Sequence, residues 1–403
     1  MYTSAMAKTY QFPKDFLWGT ATAAFQTEGN NKNTEWWEWE NTKPKDRQYP
    51  LEKSGIACDS YNRYEEDLDL CVKLNNNAVR FSIEWARIQP DENTFDQNEI
   101  DHYKKVITAA KKRNLKTFVT LYHFTLPLWF GKKGGWSKGK NIKYFETYVT
   151  RCAQEFGPLV DAFITMNEPL VYSLAAYLEG MWPPGIEDLV STLIVQHNLV
   201  NAHKRAYKAI KAVGNYYTGM VENINYFDYK PGFWAPVGYL VSKLLTFFNV
   251  DFHLAEVKNH LDFFGVHFYF STRFNGVVRE NLDDVQSDLG WWVYPPGFER
   301  VLLHIKRLNV PIYITENGVA DAMDRIRKDF IKNMLIACHN AMEQGVDVRG
   351  YFHWSLIDNY EWHQGFWPKF GLVYIDYKNN CARIPRDSFY YYADICKNGR
   401  ILE

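Results

Sequence analysis

The sequence predicts an α/β fold, a single (β/α)8 barrel over residues 1–403 with enlarged loops on its C-terminal face. Three observations carry this. Short apolar runs alternate with amphipathic segments along the whole chain. The ends of those runs recur about every 40–60 residues, the spacing of βα units. Polar side chains stand directly after the apolar runs, where a barrel would bring them to one face. A doubly wound sheet is the structural alternative, but no G-x-G-x-x-G or phosphate-binding loop follows any run.

The first strand is Phe16–Ala21. A helix over Tyr61–Leu74 sets Tyr64, Leu68, Cys71 and Leu74 on one stripe. Ala78–Ile83 is a strand carrying Arg80, and the helix Asp101–Arg113 leads to the strand Thr117–Leu121, followed by Tyr122-His123-Phe124. A helix near Tyr144–Glu155 stops at Gly157-Pro158, and the strand Phe163–Met166 runs into Asn167-Glu168-Pro169. Ser191–Val213 is a long helix ended by Gly214. Strands near Tyr217–Asn223 and Phe263–His267 follow, then a helix at Glu299–Leu308. Ile312–Gly318 is a buried strand that stops at Glu316 and turns at Asn317-Gly318. The helix Lys328–Gln344 aligns Ile331, Leu335, Cys338 and Met342 and stops at Gly345. Val348–Trp354 is the eighth strand, and Ser388–Asn398 supplies the last helix.

Composition removes several classes of function. With 46 basic and 47 acidic residues the net charge is −1, which offers no electrostatic case for nucleic acid or an anionic membrane. No run approaches a membrane span, and Met1–Lys14 lacks the apolar core of a signal peptide. The six cysteines form no C-x-x-C pair, which reads as reduced thiols in the cytoplasm and no structural zinc. Aromatic content is 17%, and several rings sit in polar loops, as in Trp36-Trp37-Glu38-Trp39 and Tyr360-Glu361-Trp362. Such rings suit the apolar face of a sugar.

In a barrel, Arg80, His123, Asn167, Glu168, His267, Tyr269, Glu316 and Trp354 share the C-terminal face. Glu168 after strand four and Glu316 after strand seven would then oppose one another across the mouth. Two carboxyl groups flanking one bond are what glycoside hydrolysis needs. One must hold a proton for the leaving oxygen, and the other must be ionised. Arg80 would keep one carboxylate ionised and Tyr269 would donate to it. Taken singly, Arg80 is more often a structural ion-pair partner and His123 a satisfied core histidine. Metal chemistry and a cofactor are not expected: there is no H-E-x-x-H, and His123, His267 and His353 come from separate strands. A G-x-S-x-G serine hydrolase signature is also absent.

The motifs resemble those of the family 1 glycoside hydrolases, the retaining β-glucosidase and β-glycosidase family, over nearly the whole chain. Phe16-Leu17-Trp18-Gly19-Thr20-Ala21 through Gln26-Thr27-Glu28-Gly29 is similar to the family's N-terminal signature. Arg80-Phe81-Ser82-Ile83-Glu84-Trp85, Asn167-Glu168-Pro169 and Ile314-Thr315-Glu316-Asn317-Gly318 match further motifs. The run Trp354-Ser355-Leu356-Ile357-Asp358-Asn359-Tyr360-Glu361-Trp362 is the most specific.

The resemblance implies Glu316 as nucleophile and Glu168 as acid/base. It implies Gln26, His123, Asn167, Glu361 and Trp362 as sugar-binding groups, with Trp354 as a stacking floor. Small β-glycosides or short oligosaccharides are then the expected partners, and a homo-oligomer is compatible. The chain departs from the family at Phe124, where Trp is usual, and at His267-Phe268-Tyr269, where Asn-Tyr-Tyr is usual. His267 is expected behind Glu316. Glu361 stands where members that cleave phosphorylated sugars have Ser, which favours unphosphorylated substrates. The alternatives are an endo-glucanase of a related barrel family and a weakly active carbohydrate-binding relative.

Overall fold

The computed structural model describes residues 8–42, 51–282 and 284–403, leaving aside the His253 side chain. Residues 1–7, half of the stretch read for a signal peptide, lie outside it.

Eight strands form a closed parallel barrel. They are β1 (Leu17–Ala21), β2 (Ala78–Ser82), β3 (Lys116–Thr120), β4 (Ala162–Asn167), β5 (Thr218–Asn223), β6 (Phe263–Phe268), β7 (Ile312–Asn317) and β8 (Val348–Trp354). Around the ring β8 pairs with β1, and each strand otherwise pairs with its neighbours in sequence. Every residue of β2, β4, β6 and β7 is buried, because one face packs inside the barrel and the other beneath helices. The interior mixes small Ala21, Ala78, Ala162 and Val221 with the rings of Phe118, Phe263, Tyr313 and Phe352. Gly19 is part of that fit: a Cβ there would meet the Phe352 ring at 2.5 Å.

The longer helices are α1 (Ser60–Lys73), α2 (Gln97–Lys112), α3 (Ile142–Phe156), α4 (Leu189–Val213), α5 (Ala235–Thr246), α6 (Pro295–Ile305), α7 (Arg327–Glu343) and α8 (Asp387–Asn398). Their bounds differ from the sequence expectations mainly at starts. The helix α2 begins four residues before Asp101, because Asp96 accepts hydrogen bonds from the Asn98 and Glu99 amides. The helix α6 begins at a Pro-Pro pair and gives way to a 3-10 turn over Lys306–Leu308. Among the described residues, no helix is long and apolar enough to cross a membrane.

One region is new relative to the sequence. Between β5 and β6, where no bounded helix is predicted, the chain forms a strand at Tyr226–Tyr229, then α5, then a helix at Phe252–Val257. The strand joins Ser271–Asn275 and Val278–Arg279 in a three-stranded sheet. Both strand segments leave the C-terminal ends of β5 and β6, which places this sheet on the same side as the polar strand ends. The helix α5 buries Gly238 and Ser242 and leaves Leu240, Leu244 and Val237 exposed. Its stripe is therefore inverted, and periodicity gives no signal for it.

Tight contacts brace the loop after β8. Arg386, just before α8, holds Asp358 through hydrogen bonds of 3.0 and 2.9 Å. The Asp358 carboxylate also accepts from the Gly371 amide at 3.0 Å.

Candidate active site

Strand ends and the loops after them deliver the polar groups. Arg80 sits in the middle of β2, with its side chain wholly buried. Asn167 ends β4 and Glu168 follows, His267 lies in β6 with Tyr269 just beyond it, and Glu316 lies in β7. Trp354 ends β8. Gln26 is carried by a short turn of helix after β1, His123 by the loop after β3, and Glu361 and Trp362 by the loop after β8.

Local irregularities aim two of these groups. The pairing of β7 slips on both sides between Ile314 and the residues after it, and that of β4 slips between Ile164 and Asn167. An extra residue in one strand re-aims the side chains beyond it. Glu168 takes φ 40°, ψ 61°, a left-handed conformation that costs a non-glycine residue free energy. It turns the chain from β4 into the helix Pro169–Tyr177.

Arg80 organises the centre. One guanidinium nitrogen donates to Glu316 Oε1 and to the Thr315 carbonyl (3.3 Å). The other terminal nitrogen donates to Asn167 Oδ1 at 2.5 Å, and Nε donates to Thr120 Oγ1 at 3.2 Å. Tyr269 donates its hydroxyl to Glu316 Oε2 at 2.5 Å. The expected trio of Arg80, Tyr269 and Glu316 is thus in contact.

His267 differs from expectation. It does not stand only behind Glu316. Its Nδ1 is hydrogen-bonded to Glu168 Oε1 and lies 3.3 Å from Glu316 Oε2, while Nε2 is 3.0 Å from Arg80 Nη1. One oxygen of each carboxylate and one ring nitrogen all fall within 4.8 Å. Three such ligands could hold a divalent ion. The Arg80 charge in contact with two of them opposes a cation there.

The electrostatics of the two carboxyls are unequal. Burial lifts Glu168 well above the usual carboxylate range, and the negative charges of Glu316 and Glu222 add to the shift. Burial also raises Glu316, but Arg80 and the Tyr269 hydroxyl oppose it. The Tyr269 phenol is pushed up by burial and by Glu316, so it stays a donor. Burial and Arg80 keep His123 and His267 neutral. Burial and Glu316 lift Glu361 to about 8.

The other candidates gather nearby. Gln26 Nε2 donates to the Tyr360 carbonyl (2.9 Å), to Asn359 Oδ1 (3.1 Å) and to Glu361 Oε2 (3.4 Å). The His123 ring lies nearly parallel to Trp354 and to Trp362, with centroids 6.3 and 6.1 Å away. Among the described residues, Gln26 Oε1, His123 Nδ1 and Asn167 Nδ2 are buried with no hydrogen-bond partner. Buried polar atoms of this kind are normally satisfied, and hydroxyls of a ligand would do so. Phe124 adds no donor; its ring packs on Trp182 and Trp362 at 4.8 and 5.3 Å.

Sequence reasoning missed Glu222. It lies in β5, 2% exposed, with Oε1 accepting from the Leu170 amide at 3.3 Å, and burial lifts it to about 8. The signal was present: Glu222-Asn223 closes an apolar run just as Glu316-Asn317 does.

Known proteins match the chain along nearly its whole length. The profile of glycosyl hydrolase family 1 matches residues 8–231 and 211–400. Beta-glucosidase A of Thermotoga maritima is 32% identical over 439 aligned residues, covering 96% of this chain and 98% of the relative. A β-glycosidase from Pyrococcus horikoshii has a similar structure, with a TM-score of 0.90, 36% identity, and coverage of 98% of this chain and 97% of that one. The family 1 β-glucosidase of Thermotoga maritima in complex with isofagomine lactam superposes with a TM-score of 0.91 at 30% identity, covering 98% of this chain and all of that one (100%).

Proposed function

The chain belongs to glycosyl hydrolase family 1, and we propose that it is a retaining exo-β-glycosidase acting on unphosphorylated β-D-glucosides, with β-galactosides or β-fucosides as further substrates. The observation that carries this reading is the carboxyl pair. Oxygens of Glu168 and Glu316 lie within 4.8 Å. Retaining enzymes hold their carboxyls about 5–5.5 Å apart, whereas inverting ones leave about 6.5–9.5 Å for a water. Names among the relatives agree on the sugar class: the Thermotoga maritima protein is a β-glucosidase, and a Pyrococcus woesei relative at 28% identity is a β-galactosidase.

In the first step Glu316, held by Arg80 and Tyr269, attacks the anomeric carbon. The bond to the leaving oxygen breaks, and that oxygen takes the proton of Glu168. Glu316 is then an ester and no longer negative. Its charge was one cause of the raised Glu168 pKa, so that pKa falls and Glu168 rests as the carboxylate that takes the proton of the incoming water. The water oxygen bonds to the anomeric carbon and Glu316 is released. Two inversions leave the β-configuration intact.

Around the sugar, Gln26, His123, Asn167, Glu361 and Trp362 are assigned to the hydroxyls. The unpartnered atoms on Gln26, His123 and Asn167 support three of these assignments. Trp354 is assigned the stacking face. Residues 1–403 are assigned to one catalytic domain, and the six buried thiols suit the cytoplasm. Proton NMR of the first sugar released from a nitrophenyl β-glucoside tests the reading. The β-anomer is expected; initial release of the α-anomer would overturn it.

A further inference from the structure

His267 is the residue at this centre with no assigned task, and the family resemblance does not supply one, since Asn is usual there. Its side chain is wholly buried in β6, directly beside Glu316 in the register of the barrel. Both ring nitrogens are engaged.

The identity of the partners fixes the tautomer. Nε2 is 3.0 Å from Arg80 Nη1, and a guanidinium has only donors. Nε2 must therefore accept and carries no proton. A doubly protonated ring would set two donors against each other and add a cation beside Arg80. The neutral ring has one N–H, which is then on Nδ1. Nδ1 faces Glu168 Oε1, with Glu316 Oε2 at 3.3 Å. Among the described residues, His267 is the sole hydrogen-bond partner of the Glu168 carboxyl group.

We propose that His267 is a positioning residue that selects which oxygen of Glu168 carries the catalytic proton. Oε1 receives the Nδ1–H bond, so the acidic proton resides on Oε2. This rests on the reading of Glu168 as acid/base. In glycosylation the Oε2 proton passes to the leaving oxygen as its bond to the anomeric carbon breaks and Glu316 bonds to that carbon. Oε1 keeps its bond from His267 throughout. In the second step Oε2 takes the proton of the attacking water, and the Glu316 ester bond breaks. The His267 proton never transfers. Without this contact no hydrogen bond distinguishes the two carboxyl oxygens, and either can carry the proton.

The conservative variant is His267→Asn. Its amide nitrogen is two bonds from Cβ, as Nδ1 is, and can donate to Oε1. His267→Leu fills similar space with no donor. The test measures kcat/KM over β-glucosides whose leaving groups run from dinitrophenol, which needs no proton, to phenol and simple alcohols, which do. Ratios between substrates are taken on one sample of each variant, so the folded fraction cancels. In His267→Leu, kcat/KM for the poor leaving groups should fall about ten- to a hundredfold more than for dinitrophenol. His267→Asn should keep the wild-type slope. A uniform loss across the series in His267→Leu, or equal slopes for the Asn and Leu variants, would overturn the proposal. Glu168→Ala runs alongside. It should show a steep slope and rescue by azide; if it shows neither, the acid/base reading itself fails. A steep Glu168→Ala slope beside a wild-type slope in His267→Leu rejects only the role of His267.

Discussion

Replacing Arg80 with Met removes the one cation in contact with Glu316 among the described residues and tests what keeps that carboxyl in play. The groups facing Glu316 are Arg80, Tyr269, His267 and Glu168. Of these, Arg80 gives the largest pull toward the ionised form, against burial. Two unit charges about 4 Å apart in a protein-like medium attract by about 4 kcal/mol. His267 Nε2 loses its donor in the variant and becomes free to take a proton, which returns part of that charge. The net effect on Glu316 is still a rise. An ionised nucleophile is required, so the acid limb of kcat/KM must move up with it. The same substitution strips donors from Asn167 and Thr120 and leaves a buried carboxylate without its partner. Such losses cost about 3–5 kcal/mol. For a chain of 403 residues that lowers Tm by about 4–6 °C. The assay is kcat/KM on a nitrophenyl β-glucoside between about pH 4 and 9, at a temperature well below the variant's Tm. An acid limb within about 0.3 units of wild type would refute the assignment of Arg80 as the group that lowers Glu316.

Glu222→Gln should raise stability in alkaline buffer. The folded-state pKa of Glu222 is about 8 against an ordinary 4.5, so as pH climbs between these values the unfolded chain loses its proton first and the native state loses a few kcal/mol. Gln does not titrate; calorimetry should find equal Tm values near pH 4 and a Gln variant about 4 °C higher near pH 9, and parallel curves would contradict the burial argument. Arg386→Met leaves buried Asp358 without its paired cation and should lower Tm by about 4–6 °C at neutral pH by calorimetry; an unchanged Tm would contradict the brace. Trp354→Ala should lower kcat/KM about a hundredfold by removing the proposed stacking face, with a competitive imino-sugar inhibitor weakened in parallel; retained inhibitor affinity would place the stacking elsewhere.

Much of this was legible in the chain. The barrel could be read because each strand is short, apolar and bounded, and because Glu168 and Glu316 follow strands that have no room for an unpartnered charge. Arg80, Tyr269 and Glu316 meet as their positions on β2, just after β6 and on β7 suggest. The rest depends on information that periodicity does not hold. The helix α5 turns Gly238 and Ser242 inward and Leu240 and Leu244 outward, so its pattern is inverted. The contact between His267 and Glu168 joins residues 99 apart. It depends on strand slips and on the left-handed backbone at Glu168, neither of which has a sequence signature. Glu222 is a different case: its motif was readable, and its isolation from any charged partner was not.

As the proposed nucleophile, Glu316 forms a covalent bond to the sugar. A β-glucosyl fluoride bearing fluorine in place of the 2-hydroxyl tests it most directly, because the electron-withdrawing fluorine slows both steps through the oxocarbenium-like transition state while fluoride remains a good leaving group. Rapid, stoichiometric inactivation is expected, with a peptide containing Glu316 heavier by one fluoroglucosyl unit. A label on any other residue, or full turnover with no adduct, would contradict it.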